Sequence, residues 1–178
     1  MKLFIGCGSS DDVPSIYLEE SRELLKLLLK DNELLYGAYN QGIMGIAYEV
    51  AKENGCKITG YAPKEYKDEL EKLDIDEKIV VENIEHRTNE LVTKSDAIIF
   101  LPGGIGTMNE IFSAIDVKRC GELDKPIIIY NIDHYYDKLI DFLEKLYNEN
   151  FSPINVKDTY YITDRKENVL KYLNIKEN

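Results

Sequence analysis

The sequence predicts a doubly wound α/β fold: a parallel sheet covered by helices on both faces, in three layers and one domain. Three observations carry that prediction. Short apolar runs alternate with amphipathic stretches along the chain, the order that builds a parallel sheet. The runs IIF at 98–100 and IIIY at 127–130 lack polar alternation, as strands buried on both faces require. Glycine-rich turns follow several apolar runs, at the strand ends where such sheets bind their ligands.

The elements follow in order. KLFIG (2–6) reads as a strand, and VPSIYLEESRELLKLLLK (13–30) as a helix with Ile16, Leu24, Leu27 and Leu28 on one face. ELLYG (33–37) is a second strand. IMGIAYEVAKENG (43–55) is a helix closed by Gly55, which can take the left-handed conformation at its end. KITGYAP (57–63) is a strand stopped by Pro63, KEYKDELEKL (64–73) a polar helix, and KIVVE (78–82) a strand. A helix around 86–94 leads to the strand DAIIFLP (96–102), and a helix spans about 107–120. KPIIIYN (125–131) is a strand and YYDKLIDFLEKLYNEN (135–150) a helix. The tail adds a short strand at 159–163 and a helix at 165–174. This places the loops 6–12, 36–44, 82–87 and 102–107 on one rim of the sheet.

Composition narrows the function classes. A chain of 178 residues, 44% hydrophobic and 31% charged, supports one core of ordinary soluble character. No apolar run is long enough to span a bilayer, and the N-terminal one is too short for a signal peptide. The expected compartment is the cytoplasm. A net charge of −11 repels a nucleic-acid partner, yet leaves room for a small anion held by backbone amides and an arginine. Cys7, Cys56 and Cys120 are odd in number and widely spaced, which argues against a disulfide framework or a structural zinc site. His86 and His134 show no metal-ligand spacing.

The rim carries the chemistry. In PGGIGT (102–107), three glycines lie within four residues at the end of a buried strand. One glycine suffices for a tight turn, whereas three let backbone amides approach a ligand. The following helix directs its unpaired N–H groups to the same place. Gly103, Gly104, Gly106 and the Thr107 hydroxyl together read as an anion cradle. The dinucleotide and Walker patterns GxGxxG and GxxxxGK[ST] do not occur. In IGCGSSDD (5–12), Gly6, Gly8, Ser9 and Ser10 suit a phosphate, ribose or base; an ordinary turn into a helix capped near Asp12 fits equally. Gly42 and Gly45 open the helix after YGAYNQ, for a ligand or for close helix–sheet packing. Pattern alone explains Glu110 by the helix dipole and a Thr107-to-Glu110 capping box, and Arg87 as a solvated residue at a helix start.

These residues resemble a known family. LPGGIGTMNE fits the PGGxGTxxE signature of the LOG (Lonely Guy) family, once labelled lysine decarboxylase. FIGCGSS resembles the family's opening strand and loop, and LLYGAYNQGIMG its YGGGxxGLMG segment. Arg87 falls at the Arg of its R-K-x-x-M segment, and GELDKPIIIYNIDHYYDKLIDFLEKLYNENF is similar to its closing stretch. The likeness covers roughly 2–152. It implies a Rossmann-like fold and cleavage of cytokinin nucleoside 5′-monophosphates, in many members also AMP, to free base and ribose 5-phosphate. By position, Gly103, Gly104, Gly106 and Thr107 would hold the 5′-phosphate. Ser9, Ser10, Gly42 and Met44 would line the nucleotide, and Arg87 and Glu110 would be the catalytic pair. It implies a homodimer and neither metal nor organic cofactor. No pyridoxal phosphate lysine is recognisable, against the decarboxylase label.

The chain departs from the family at Gly37-Ala38-Tyr39, where the family has three glycines, and at Thr88 and Leu91. Side chains at 38 and 39 are expected to narrow the pocket. A non-catalytic nucleotide carrier on the same fold is the competing expectation; a dinucleotide oxidoreductase lacks its fingerprint.

Overall fold

The computed structural model describes residues 1–175. Seven strands form one sheet: β1 (Lys2–Gly6), β2 (Glu33–Tyr36), β3 (Ile58–Pro63), β4 (Glu77–Val81), β5 (Ala97–Phe100), β6 (Ile127–Tyr130) and β7 (Tyr161–Thr163). Every pairing is parallel, in the order β4-β3-β2-β1-β5-β6-β7. The order reverses between β1 and β5, so their carboxyl ends flank the crevice where open α/β sheets bind ligands. β5 and β6 are buried along their whole length, which is why their sequences are uninterruptedly apolar.

Helices cover both faces. α1 (Ser15–Leu28), α2 (Gly42–Glu53), α3 (Lys67–Glu71) and α7 (Lys166–Tyr172) lie on one side. There Leu24, Leu28, Ala47, Val50, Leu70 and Val169 meet Leu3, Ile5 and Ile99. α4 (Ile84–Lys94), α5 (Ile105–Arg119) and α6 (Asp137–Asn148) lie on the other. There Leu91, Ile111, Ala114 and Leu143 meet Phe4, Ile98 and Phe100. The expected three-layer doubly wound fold is the one observed.

Several boundaries differ from the sequence expectation, each for a local reason. The helix expected at 107–120 begins at Ile105, with Gly104 at the N-cap position. Thr107 therefore lies inside the first turn and cannot cap it, so the capping box to Glu110 does not form. α1 starts at Ser15 after Pro14 without a side-chain cap. Asp11 instead accepts the Gly42 N–H at 2.6 Å and closes the start of α2. The helix carrying Arg87 begins at Ile84, because Asn83 accepts the His86 N–H at 3.0 Å. The polar helix expected at 64–73 is a 3₁₀ turn (Lys64–Tyr66) followed by the short α3. A further 3₁₀ turn, Ile154–Thr159, was not expected from the pattern. Gly55 does end α2 in the left-handed conformation, at φ 67°.

Candidate active site

The two strands at the reversal point carry their loops into contact. Leu101 N–H donates to Gly6 O at 2.9 Å, and Gly8 N–H to Pro102 O at 2.9 Å. Met44 N–H then donates to Gly8 O at 3.1 Å, joining the start of α2 to the same loop. Gly103 sits at the tightest point. A Cβ there would lie 2.1 Å from Thr107 Oγ1 and 2.8 Å from Gly8 N, so no side chain fits. Gly104 and Gly106 differ: no atom lies within 4 Å of where their Cβ would be, and both are exposed. Packing does not require those two glycines, and what they provide is bare backbone. No side chain among the described residues caps the first turn of α5, which leaves its amides for solvent or a ligand. A cavity of about 350 Å³ lies over it, lined by Gly8, Ser9, Ser10, Pro102, Gly103, Gly104, Tyr17 and Tyr135.

This contrast gives a stability prediction. Gly103→Ala forces Thr107 and the backbone of Gly8 apart and is expected to cost about 1–3 kcal/mol. Gly104→Ala meets open space and should cost much less. Urea midpoints of the two variants check it; equal midpoints would refute the close-packing account.

Beside the cradle, α4 and α5 bring together a buried ion pair. Arg87 Nη2 donates to Glu110 Oε1 at 3.0 Å, with side-chain exposures of 12% and 3%. The carboxylate hangs over the end of β1, and a Cβ at Gly6 would lie 3.1 Å from Glu110 Oε2. Burial pushes the Glu110 carboxyl up to about 7, against the charge and hydrogen bond of Arg87, which pull it down. The buried Cys7 thiol is held up by burial and then by the Glu110 charge. Arg87 Nε is buried without a hydrogen-bond partner among the described residues, an unpaired buried donor of the kind that marks a strained or functional site. Arg87 Nη1 also lies 3.3 Å from the Cβ position of Gly37. A second cavity of about 350 Å³ opens there, lined by Ser9, Gly37, Ala38, Tyr39, Met44, Pro63, Tyr66, Ile84 and Arg87.

Six of the expected residues line two adjoining cavities. Gly103, Gly104 and Ser10 line the first, Met44 and Arg87 the second, and Ser9 both. Thr107, Gly106 and Glu110 are not among the lining residues: Thr107 packs on Gly103, Gly106 lies exposed in the first turn, and Glu110 is buried over the end of β1. Gly42 lines neither cavity. Its φ is +59°, its amide is taken by Asp11, and a Cβ would meet the Ser9–Ser10 backbone at 2.6–2.8 Å. It therefore holds the serine loop in place. Ala38 adopts φ 55°, a left-handed conformation unusual for a residue with a Cβ. It directs Tyr39 to the second cavity.

Sequence reasoning missed Asp11, Tyr17 and Tyr135. The Tyr135 hydroxyl donates to Gly103 O at 2.7 Å, and Tyr17 meets the Tyr135 ring edge-on at 5.3 Å. The paired tyrosines after β6 were a visible signal, but nothing local says that one reaches back to the glycine loop. Among the described residues no cluster of His, Cys, Asp and Glu is arranged to hold a metal ion, and no helix is long and apolar enough to cross a membrane.

Comparison with known proteins adds lineage to this geometry. A family model described as possible lysine decarboxylase matches residues 44–173. The Arabidopsis thaliana cytokinin riboside 5′-monophosphate phosphoribohydrolase LOG4 is 30% identical over 97% of this chain and 81% of its own length. The probable enzyme of the same name LOGL2 from Oryza sativa subsp. japonica is 34% identical over 84% of this chain and 62% of its own. Arabidopsis LOG3 is 33% identical over 84% and 71% respectively. Among solved structures, the molybdenum cofactor carrier protein of Chlamydomonas reinhardtii superposes with a TM-score of 0.70, 20% identity and coverage of 97% and 95%. The molybdenum cofactor binding protein of Rippkaea orientalis gives 0.69, 22%, 97% and 94%. At those identities the likeness is one of fold. The sequence relatives and the family model set the ancestry: this chain belongs to the LOG family.

Proposed function

We propose that the protein hydrolyses the N-glycosidic bond of a purine nucleoside 5′-monophosphate, AMP or an N6-substituted AMP, to free base and ribose 5-phosphate. One observation carries this reading: a carboxyl raised to about 7 and paired with an arginine, beside a glycine loop of bare amides at the point where the sheet reverses. The phosphate sits on Gly103, Gly104 and the first turn of α5, with Thr107 beneath. That remote binding fixes the ribose and holds C1′ near Glu110.

The reaction then balances simply. The C1′–N9 bond breaks with its electron pair going to the base, leaving an oxocarbenium-like ribosyl centre, as in O-glycoside cleavage. The Glu110 carboxylate stabilises that cation and accepts a proton from the attacking water, which forms the new C1′–O bond. The departing base takes up a proton from solvent. A carboxyl poised near neutrality suits a base that works at neutral pH. Arg87 orients the carboxylate through Nη2 and presents its charge to the nucleotide from the wall of the second cavity. No step asks for a metal or an organic cofactor.

The base falls in the second cavity, where Tyr39 and Tyr66 supply apolar ring surface and, among the described residues, no side-chain amide or carboxylate lines the wall. This favours tolerance of an apolar N6 substituent. Incubation with AMP and with N6-isopentenyl-AMP is expected to release free base and ribose 5-phosphate in equal amounts, detected by chromatography. Nucleotide binding with no release from either substrate would replace the enzyme by a carrier. A homodimer in the cytoplasm belongs to the same reading. Ile84, Ile105 and Phe112 are exposed on α4 and α5, an apolar face beside the site. A monomer in sedimentation velocity at micromolar concentration would contradict it.

A further inference from the structure

We propose that Tyr135 is a positioning residue for the glycine cradle: it fixes the Gly103–Gly104 peptide so that its amide faces a bound phosphate. The inference rests on the phosphate-cradle reading above and adds a residue that the glycine signature does not contain.

The geometry is specific. The Tyr135 hydroxyl donates to Gly103 O at 2.7 Å. A phenol has one proton, and here it is committed to that carbonyl. The oxygen that remains carries only lone pairs and would repel a phosphate, so the hydroxyl serves the loop and not the anion. In a trans peptide the carbonyl and the next N–H point in opposite directions. Anchoring Gly103 O therefore also fixes the direction of the Gly104 N–H, on the side away from Tyr135. The anchor matters because this peptide lies between two glycines, whose broad conformational freedom would otherwise let it flip. A flipped peptide would turn a partial negative charge toward the anion. A Cβ at Gly103 would collide with Thr107 and Gly8, so only a glycine, with that freedom, fits at this point.

The Tyr135 ring, 40% exposed, packs against two other tyrosines. Tyr17 and Tyr136 meet it edge-on at 5.3 and 4.9 Å. Tyr136 is fixed in turn, its hydroxyl donating to Leu101 O at 2.6 Å and its N–H to Asn131 Oδ1 at 2.7 Å. Asn131 Nδ2 donates to Asp137 at 2.8 Å, and the same carboxylate lies 3.2 Å from His134 Nδ1. Immediately before Tyr135, Asp133 and His134 are both left-handed, at φ 45° and 61°. Two consecutive non-glycine residues in that region persist where the surroundings over-determine them, often at functional sites. The turn after β6 thus carries two left-handed residues, is tied by Asn131 and Asp137, and ends in a hydroxyl on the cradle.

Tyr135→Phe tests this. Calorimetric titration with ribose 5-phosphate is expected to show about fivefold weaker binding by the variant, at an unfolding midpoint close to that of the wild type. With AMP as substrate, KM should rise by a similar factor while kcat holds, the signature of binding lost equally from ground and transition states. Unchanged ribose 5-phosphate affinity in the variant removes Tyr135 from this role and leaves the cradle standing. A fall in kcat at constant KM also overturns it. Failure of the wild type to bind ribose 5-phosphate or AMP overturns the cradle, and the role of Tyr135 with it.

Discussion

Glu110→Gln is expected to abolish base release, by at least about 10³-fold in kcat, while making the folded protein more stable at pH 8. The first effect follows from chemistry. An amide keeps the shape and the contact with Arg87 but neither accepts a proton from water nor stabilises a cation as a carboxylate does. The second follows from burial. The folded state holds the carboxyl near 7 instead of its ordinary 4.5, so folding favours the neutral form. Between those values the folded protein binds more protons than the unfolded chain, and stability falls as pH rises through that window. Above about pH 7 the whole cost is present, about 3 kcal/mol at 1.36 kcal/mol per unit. It fades as pH drops toward 4.5. Glutamine is neutral throughout and avoids it. Thermal unfolding should therefore show the variant about 1–3 kcal/mol more stable at pH 8, with little difference at pH 5. A variant less stable at pH 8, or one that still releases base, refutes the assignment.

Arg87→Gln should shift the pH dependence as well as the rate. Arg87 pulls the Glu110 carboxyl down by its charge and its hydrogen bond. Without it, burial acts alone and the carboxyl rises further. Because the ionised form is the working one, the acid limb of kcat/KM, expected near pH 7 in the wild type, moves to higher pH. At pH 7 the loss compounds misorientation with a smaller ionised fraction, about 10²-fold or more in kcat/KM. An unmoved limb would separate Arg87 from Glu110.

The sequence displayed the fold because its signals are local. Uninterrupted apolar runs, helical periodicity and Gly55 each report their own element, and the parallel order follows from their alternation. The rim was legible for the same reason: parallel strands put every β-to-α loop on one side. Glu110 was not legible from pattern. Its dipole and capping-box explanation assumed a helix beginning near Thr107. The helix begins at Ile105, which leaves Glu110 beyond the first turn, where the dipole effect has fallen off. It is buried over the end of β1 and paired with Arg87, delivered by the neighbouring helix α4 on the same face of the sheet. The family likeness, not periodicity, pointed to that pair. Asp11 and Tyr135 were beyond reach because each acts on a segment distant in sequence. Gly42 looked like a ligand residue, yet its positive φ and contact with the Ser9–Ser10 backbone give it a supporting part.

The central claim is that the glycine cradle holds a phosphate so that Glu110 faces the ribosyl C1′. A crystal structure of Glu110→Gln with intact AMP measures this directly. The expected result places the phosphate on Gly103, Gly104 and the start of α5, with C1′ about 3–4 Å from the residue 110 side chain and the base between Arg87 and Tyr39. A phosphate bound elsewhere, or a ribose turned away from residue 110, contradicts the account.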